Sequence, residues 1–294
     1  MSGILNITGL PPSEADVYYY GYIPQERVAI IFVVLFGVAA VTHIVQAAYY
    51  KLWWLYPTVI AACIGEILGW AGRLWSSREP QRSEPYLMHH ILTATVLAPT
   101  PLLAADFIIL SSIVEELPLG ERYSWLTPRR YTAIFLSSDV IALAIQAVGG
   151  GLVSGAQTLA LANRYAHIVL AGILFQLVVI ILFSVLGIDL VRRYIQDKPV
   201  RGKAERQLRS PTKMPIPKRL KWMLAVLAVS IIALFIRSIY RTVELSDGWS
   251  GRIIETEVYF NVFDGSMVII AVYAVMVGHP GLLLGLPGRE AMNY

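Results

Sequence analysis

Apolar residues run through this chain in blocks long enough to cross a bilayer, which takes about 20 residues of α-helix. Seven such blocks stand out, over about 26–49, 53–75, 86–113, 130–153, 165–192, 219–241 and 257–279. Water is absent from the bilayer core, so a spanning backbone must satisfy its own hydrogen-bonding groups. The blocks lack the alternation of a transmembrane β-strand, which leaves helices. Only 15% of the residues are charged, against about 25% in a soluble domain, and the mean hydropathy is +0.59. The expected fold is an all-α, seven-transmembrane helix bundle over 26–285. A tail of 1–25 precedes it and one of 286–294 follows.

Loop charge orients the bundle. Lys51, Arg122, Arg129, Arg130, Arg289 and the bases between Arg192 and Lys221 fall on one side. The other side has Arg27, Arg78, Arg82, Arg164 and Arg252. The positive-inside rule then predicts an outside N-terminus and a cytoplasmic C-terminus. Asn6-Ile7-Thr8 is a glycosylation sequon on the predicted outer tail. Residues 1–25 lack a basic stretch followed by an apolar one, so the first span is expected to serve as the targeting signal. The loop 194–218 is basic and carries Pro199, Pro211, Pro215 and Pro217. It is expected to lie on anionic lipid or meet a cytoplasmic partner, and the charge pattern gives no reason to expect nucleic acid. Pro99 and Pro101 predict a kink in the third span. Gly149-Gly150-Gly151 predicts close helix contact or a frayed end. Tyr18, Tyr19, Tyr20, Tyr22, Trp53, Trp54, Trp75, Trp125 and Trp222 read as an interfacial belt.

Charged groups inside a bilayer are costly and generally face a partner or a cavity. Here they fall on single helix faces. Glu66 and Arg73 are seven residues apart, as are Asp139 and Gln146, and Glu257 and Asp264. Arg237, Arg241 and Glu244 follow a spacing of four and then three. With Gln176 these residues are expected to line one shared polar cavity, biased to the outer half. Its acids would suit an ammonium head group and its arginines a phosphate. The competing reading is that they only pair and hold the bundle together.

A lone His43 reads first as a hydrogen-bonded structural group. His43, His90 and His167 are candidates for metal or haem, although no cofactor is expected. The lone Cys63 reads as a small buried side chain. The chain has no GxxxxGK[ST] phosphate loop, HExxH zinc motif or GxSxG nucleophile elbow. Catalytic residues are therefore not expected, and an intramembrane lipid hydrolase is disfavoured.

The intramembrane motifs resemble the fungal RTA-like, or lipid-translocating exporter, family. They are Glu66-Ile67-Leu68-Gly69-Trp70-Ala71-Gly72-Arg73, Leu97-Ala98-Pro99 with Ala104-Ala105, and Ile134-Phe135 with Asp139 and Gln146 before Gly149-Gly150. Gly172 and Gln176, Arg237 to Glu244, Glu257 with Tyr259, Phe263 and Asp264, and His279-Pro280-Gly281 complete the order. The family usually has a tyrosine shortly after the Ala-Ala pair. This chain has Ile108 there, with Asp106 an unusual acid nearby. The resemblance implies a plasma-membrane protein that moves or senses amphipathic lipids such as sphingoid bases or phospholipids, and confers resistance to toxic amphiphiles. The resemblance and the layout leave open a seven-helix receptor and a haem- or porphyrin-binding protein.

Overall fold

The computed structural model describes residues 22–80, 82, 85, 99–156, 158–200, 215–247, 252–254 and 256–284. The described chain is helical. The long helices are α1 (Glu26–Tyr50), α2 (Ala61–Arg78), α3 (Pro99–Glu116), α5 (Pro128–Ser154), α6 (Leu159–Gln196), α7 (Lys218–Ser246) and α9 (Ser266–Val277). Short helices α4 (Gly120–Tyr123), α8 (Glu257–Phe260) and α10 (Pro280–Leu283) lie between or after them. A 3₁₀ turn (Trp53–Leu55) and a π turn (Tyr56–Ile60) lead into α2. A second π turn, Asn261–Gly265, joins α8 to α9.

Six helical stretches among the described residues are long and apolar enough to cross a membrane. They are 26–50, 53–78, 128–154, 160–196, 218–246 and 257–283. The third expected span is described only as α3, whose 18 residues include Asp106, Glu115 and Glu116. Its expected kink lies toward residues 86–98, outside the described residues; Pro99 and Pro101 occupy the first turn of α3. Several spans run past their expected ends; the fifth reaches Gln196 and the sixth Ser246. The 38 residues of α6 measure about 57 Å. That is well beyond a hydrocarbon core of about 30 Å, so its ends extend past the apolar layer. The ordered helices thus narrow the basic connector, most of which (201–214) is outside the described residues.

Neighbours in sequence pack as hairpins, α1 on α2 and α5 on α6, while α7 packs on α9, α6 and α3. Gly172 makes the α5–α6 approach possible, since a Cβ there would lie 2.4 Å from Gln146 Cγ. At Gly149 helix α5 makes the close contact expected of the glycine run, and it continues unfrayed to Ser154. Helix α3 is central. Leu102, Leu103, Phe107, Ile109, Leu110 and Val114 are buried around its circumference. The outer surface is apolar: Val34, Val38, Val41 and Val45 of α1, and Val178, Leu182, Val185 and Ile188 of α6, are exposed. An apolar exterior around a packed interior is the arrangement a lipid-solvated bundle requires.

Candidate functional site

A column of buried polar groups runs down the seam between α2, α7 and the α8–α9 segment. At its upper end Arg73 Nη2 donates to Tyr22 Oη at 2.6 Å and lies 3.4 Å from Glu257 Oε1. Glu257 Oε1 also accepts from the Gln25 amide at 3.0 Å, tying the approach to α1 to the start of α8. Burial holds the Tyr22 hydroxyl above the usual tyrosine range, with Arg73 pulling it back. Below this pair the Phe260 ring lies between two guanidiniums, 4.6 Å from Arg73 and 5.1 Å from Arg241. Both distances suit cation–π attraction.

The next layer is an ion network. Arg241 Nε donates to Asp264 Oδ1 at 2.7 Å, and Arg241 Nη1 to Glu244 Oε2 at 2.6 Å. Tyr240 Oη donates to Glu244 Oε1 at 2.8 Å. Arg237 Nε lies 2.9 Å from Asp264 Oδ1, as an ion pair off the hydrogen-bond line. Glu66 completes the layer, with its carboxylate in electrostatic range of Asp264, Arg237 and Arg241. It is fully buried, and neither of its oxygens has a hydrogen-bond partner among the described residues. The Trp70 indole, one turn further along α2, faces the same carboxylate. Three carboxylates therefore face two guanidiniums, and Glu66 is the one held by no aligned donor.

Local backbone explains how Asp264 reaches this layer. The π turn at Asn261–Gly265 adds a residue to the helical repeat just before α9. A Cβ on Gly265 would lie 2.6 Å from Trp70 and 2.7 Å from Phe32. The missing side chain lets the stacked Phe32–Trp70 pair, 3.9 Å between centroids, close against the turn.

Beside the network, toward the exterior, a pocket of about 600 Å³ is lined by Ile236, Ile239, Tyr240, Val243 and Phe263, with Arg252 at its edge. Tyr240 forms its inner wall and bonds Glu244 behind it.

The single cavity expected from sequence is not what the described residues form. Glu66, Arg73, Arg237, Arg241, Glu244, Glu257 and Asp264 come together as one column. Asp139, Gln146 and Gln176 form a second group between α5, α6 and the start of α3. Gln176 Nε2 donates to Asp139 Oδ1 at 2.8 Å and Gln146 Nε2 to Gln176 Oε1 at 3.4 Å. Thr100 Oγ1 also lies 3.4 Å from Gln176 Nε2. The physical reason is packing. The polar face of α5 turns toward α6 and α3, whereas those of α2 and α7 turn toward the α8–α9 segment.

The described histidine candidates, His43 and His167, do not converge. His43 is buried in α1 and donates from Nε2 to the Val272 carbonyl at 3.3 Å. Its ring lies 6.4 Å from that of His279. His167 is exposed on α6, and His90 lies outside the described residues. Among the described residues no three His, Cys, Asp or Glu side chains are placed to hold a metal ion. Cys63 is buried and unpaired.

Several participants were not singled out from sequence. Tyr22 read as part of the aromatic belt, yet it caps Arg73. Tyr240 and Phe260 are ordinary aromatic residues of an apolar helix until the fold places them. Asp106, noted only as a departure from the family pattern, is fully buried and accepts from Ser230 Oγ at 2.7 Å across the α3–α7 seam.

The chain is 29% identical to the sphingoid long-chain base transporter RSB1 of Saccharomyces cerevisiae, over 92% of this chain and 77% of that one. It is 27% identical to protoporphyrin uptake protein 1 of the same organism, over 90% and 93%. It is 26% identical to its protein RTA1, over 89% and 84%. No solved structure matches the chain. The model of the RTA1 like protein family matches residues 59–286, which include every charged member of the column, and the chain belongs to that family.

Proposed function

We propose that this protein moves amphipathic lipids across the bilayer, and that its preferred substrate is a long-chain base with an ammonium head group. The observation that carries this is Glu66, a fully buried carboxylate with no aligned donor, in a layer where acids outnumber bases. A buried carboxylate without hydrogen-bond donors is expensive, and an ammonium group would supply donors and a further positive charge. The pocket beside Tyr240 opens toward lipid and is apolar enough for the tail. The printed name of the relative RSB1 supports the same substrate class.

In this reading the Arg73 end of the column faces outward in a plasma membrane, and the Arg192–Lys221 side is cytoplasmic. Arg73 and Glu257 neutralise each other at the entrance. Arg241 holds Asp264 and Glu244 in place, which leaves Glu66 as the carboxylate of the layer without an aligned donor. Movement against a gradient would draw on an ion gradient or a partner, since the chain carries no phosphate-loop motif.

The test is reconstitution in liposomes with a fluorescent long-chain base. Wild-type protein should speed its movement over empty liposomes. Glu66→Gln should abolish the gain, and Glu66→Asp should keep part of it. A wild-type rate equal to that of empty liposomes would overturn transport. Full activity of Glu66→Gln would overturn the role of Glu66.

A further inference from the structure

A second cavity, of about 720 Å³, lies between α6 and α7 and opens sideways to the exterior. Phe183, Gly187, Ile188, Leu227 and Ile231 line it, with Leu110 of α3 at its floor. It shares no residue with the ion column. Its size is within the range of ligand sites. Along α6 it runs from Phe183 to Arg192 and slightly beyond, about 14 Å of helix to the arginine. This is close to the depth of one hydrocarbon leaflet, half of a core of about 30 Å. Between Phe183 and Val191 its wall on α6 is apolar apart from Ser184, whose hydroxyl turns back to the Ile180 carbonyl at 2.7 Å. Gly187 creates the space: a Cβ there would touch nothing closer than Leu110, at 3.7 Å.

The mouth is basic. Arg192 lines it and is exposed; it makes no hydrogen bond or close ion pair among the described residues, and the acid in its electrostatic range, Asp189, is held by Arg193. Its neighbour Arg193 is occupied by Asp189 at 2.5 Å and by the Trp125 ring at 4.9 Å. Lys218, Arg219 and Lys221 begin α7 at the same end, and Trp222 there is exposed. Tryptophan at such a position marks the membrane–water interface. An arginine can lay its stem along an apolar wall while its head stays among lipid phosphates.

We infer that this groove is a site for one anionic phospholipid, with its phosphate on Arg192 and an acyl chain along α6 and α7. It does not depend on the transport reading.

The experiment uses the full-length protein in micelles containing equal amounts of phosphatidylserine and phosphatidylcholine, with retained lipid counted by native mass spectrometry. Wild type should keep phosphatidylserine over phosphatidylcholine by about fivefold, the effect of one basic residue at a lipid surface. Arg192→Gln should lose the preference while still retaining lipid. Gly187→Leu and, from the facing helix, Ala228→Leu should each lower retention of both lipids. Size-exclusion profiles identify a variant that has failed to fold, and the other filling variant then carries the result. Equal retention of the two lipids by wild type would overturn the site. So would an unchanged preference in Arg192→Gln, or unchanged retention in a folded filling variant.

Discussion

Asp264 and Glu66 are both fully buried carboxylates in one layer, yet their neutralisation should have unequal consequences. Asp264 Oδ1 is 2.9 Å from Arg237 Nε and 2.7 Å from Arg241 Nε. Asp264→Asn removes the charge that both guanidiniums contact. Breaking a buried ion pair by removing one partner costs about 3–5 kcal/mol. The loss should fall toward the lower end, because Glu244 still holds Arg241 at 2.6 Å and Glu66 remains in electrostatic range of both arginines. Glu66→Gln removes no aligned hydrogen bond and leaves two carboxylates facing two guanidiniums. Its effect should stay within about 1 kcal/mol, the size of one ordinary hydrogen bond. The measurement is equilibrium unfolding of the purified protein in mixed micelles titrated with a denaturing detergent, followed by tryptophan fluorescence. Equal destabilisation by the two variants would refute the reasoning, since Glu66 would then be as firmly held as Asp264. A neutral Asp264→Asn would refute the network itself.

Two further outcomes follow from packing and orientation. Gly265→Ala places a methyl group 2.6 Å from Trp70 and 2.7 Å from Phe32, and the stacked rings cannot yield without separating. Overpacking of this kind costs about 1–3 kcal/mol, readable in the same titration; an unchanged midpoint would show that the turn relaxes freely. An outside N-terminus predicts that Asn6 is glycosylated in a eukaryotic host. Glycosidase treatment should then shift the wild type but not Asn6→Gln on a gel, and a wild type with no shift would count against that orientation.

Six of the seven expected spans were legible because bilayer crossing imposes a length and a composition that few other folds share. The charged members of the column were legible because a costly residue in an apolar helix needs a reason, and their spacing put them on common faces. What the sequence did not carry is which faces meet. Asp139 and Glu66 look alike in one dimension, each an acid on a striped helix. Their separation depends on α5 turning toward α6, which rests on the close approach at Gly172 and on the shape of α3. The π turn before α9 was also hidden. Asn261-Val262-Phe263-Asp264-Gly265 has no composition that distinguishes it from a regular turn, and the close contact of Gly265 with Phe32 and Trp70 is visible only in the fold. Tyr22 gave no signal because it sits in a run of tyrosines that an interface would explain equally well.

The separation bears on how a head group could cross. Below Glu66 lie Cys63 and Ala62 of α2 and Val59 of the π turn before it, all buried and apolar, so the polar column ends there. On α7 the next polar station below Arg237 is Ser230, seven residues back on the same face and about 10 Å deeper. It bonds Asp106 of α3, whose other oxygen has no partner among the described residues. Ala233 and Leu234 fill the turn between. If the column receives a lipid head group, as proposed, onward passage requires α7 to shift against α3 and open that one apolar turn. The Asp106–Ser230 bond is then the contact that movement would have to break.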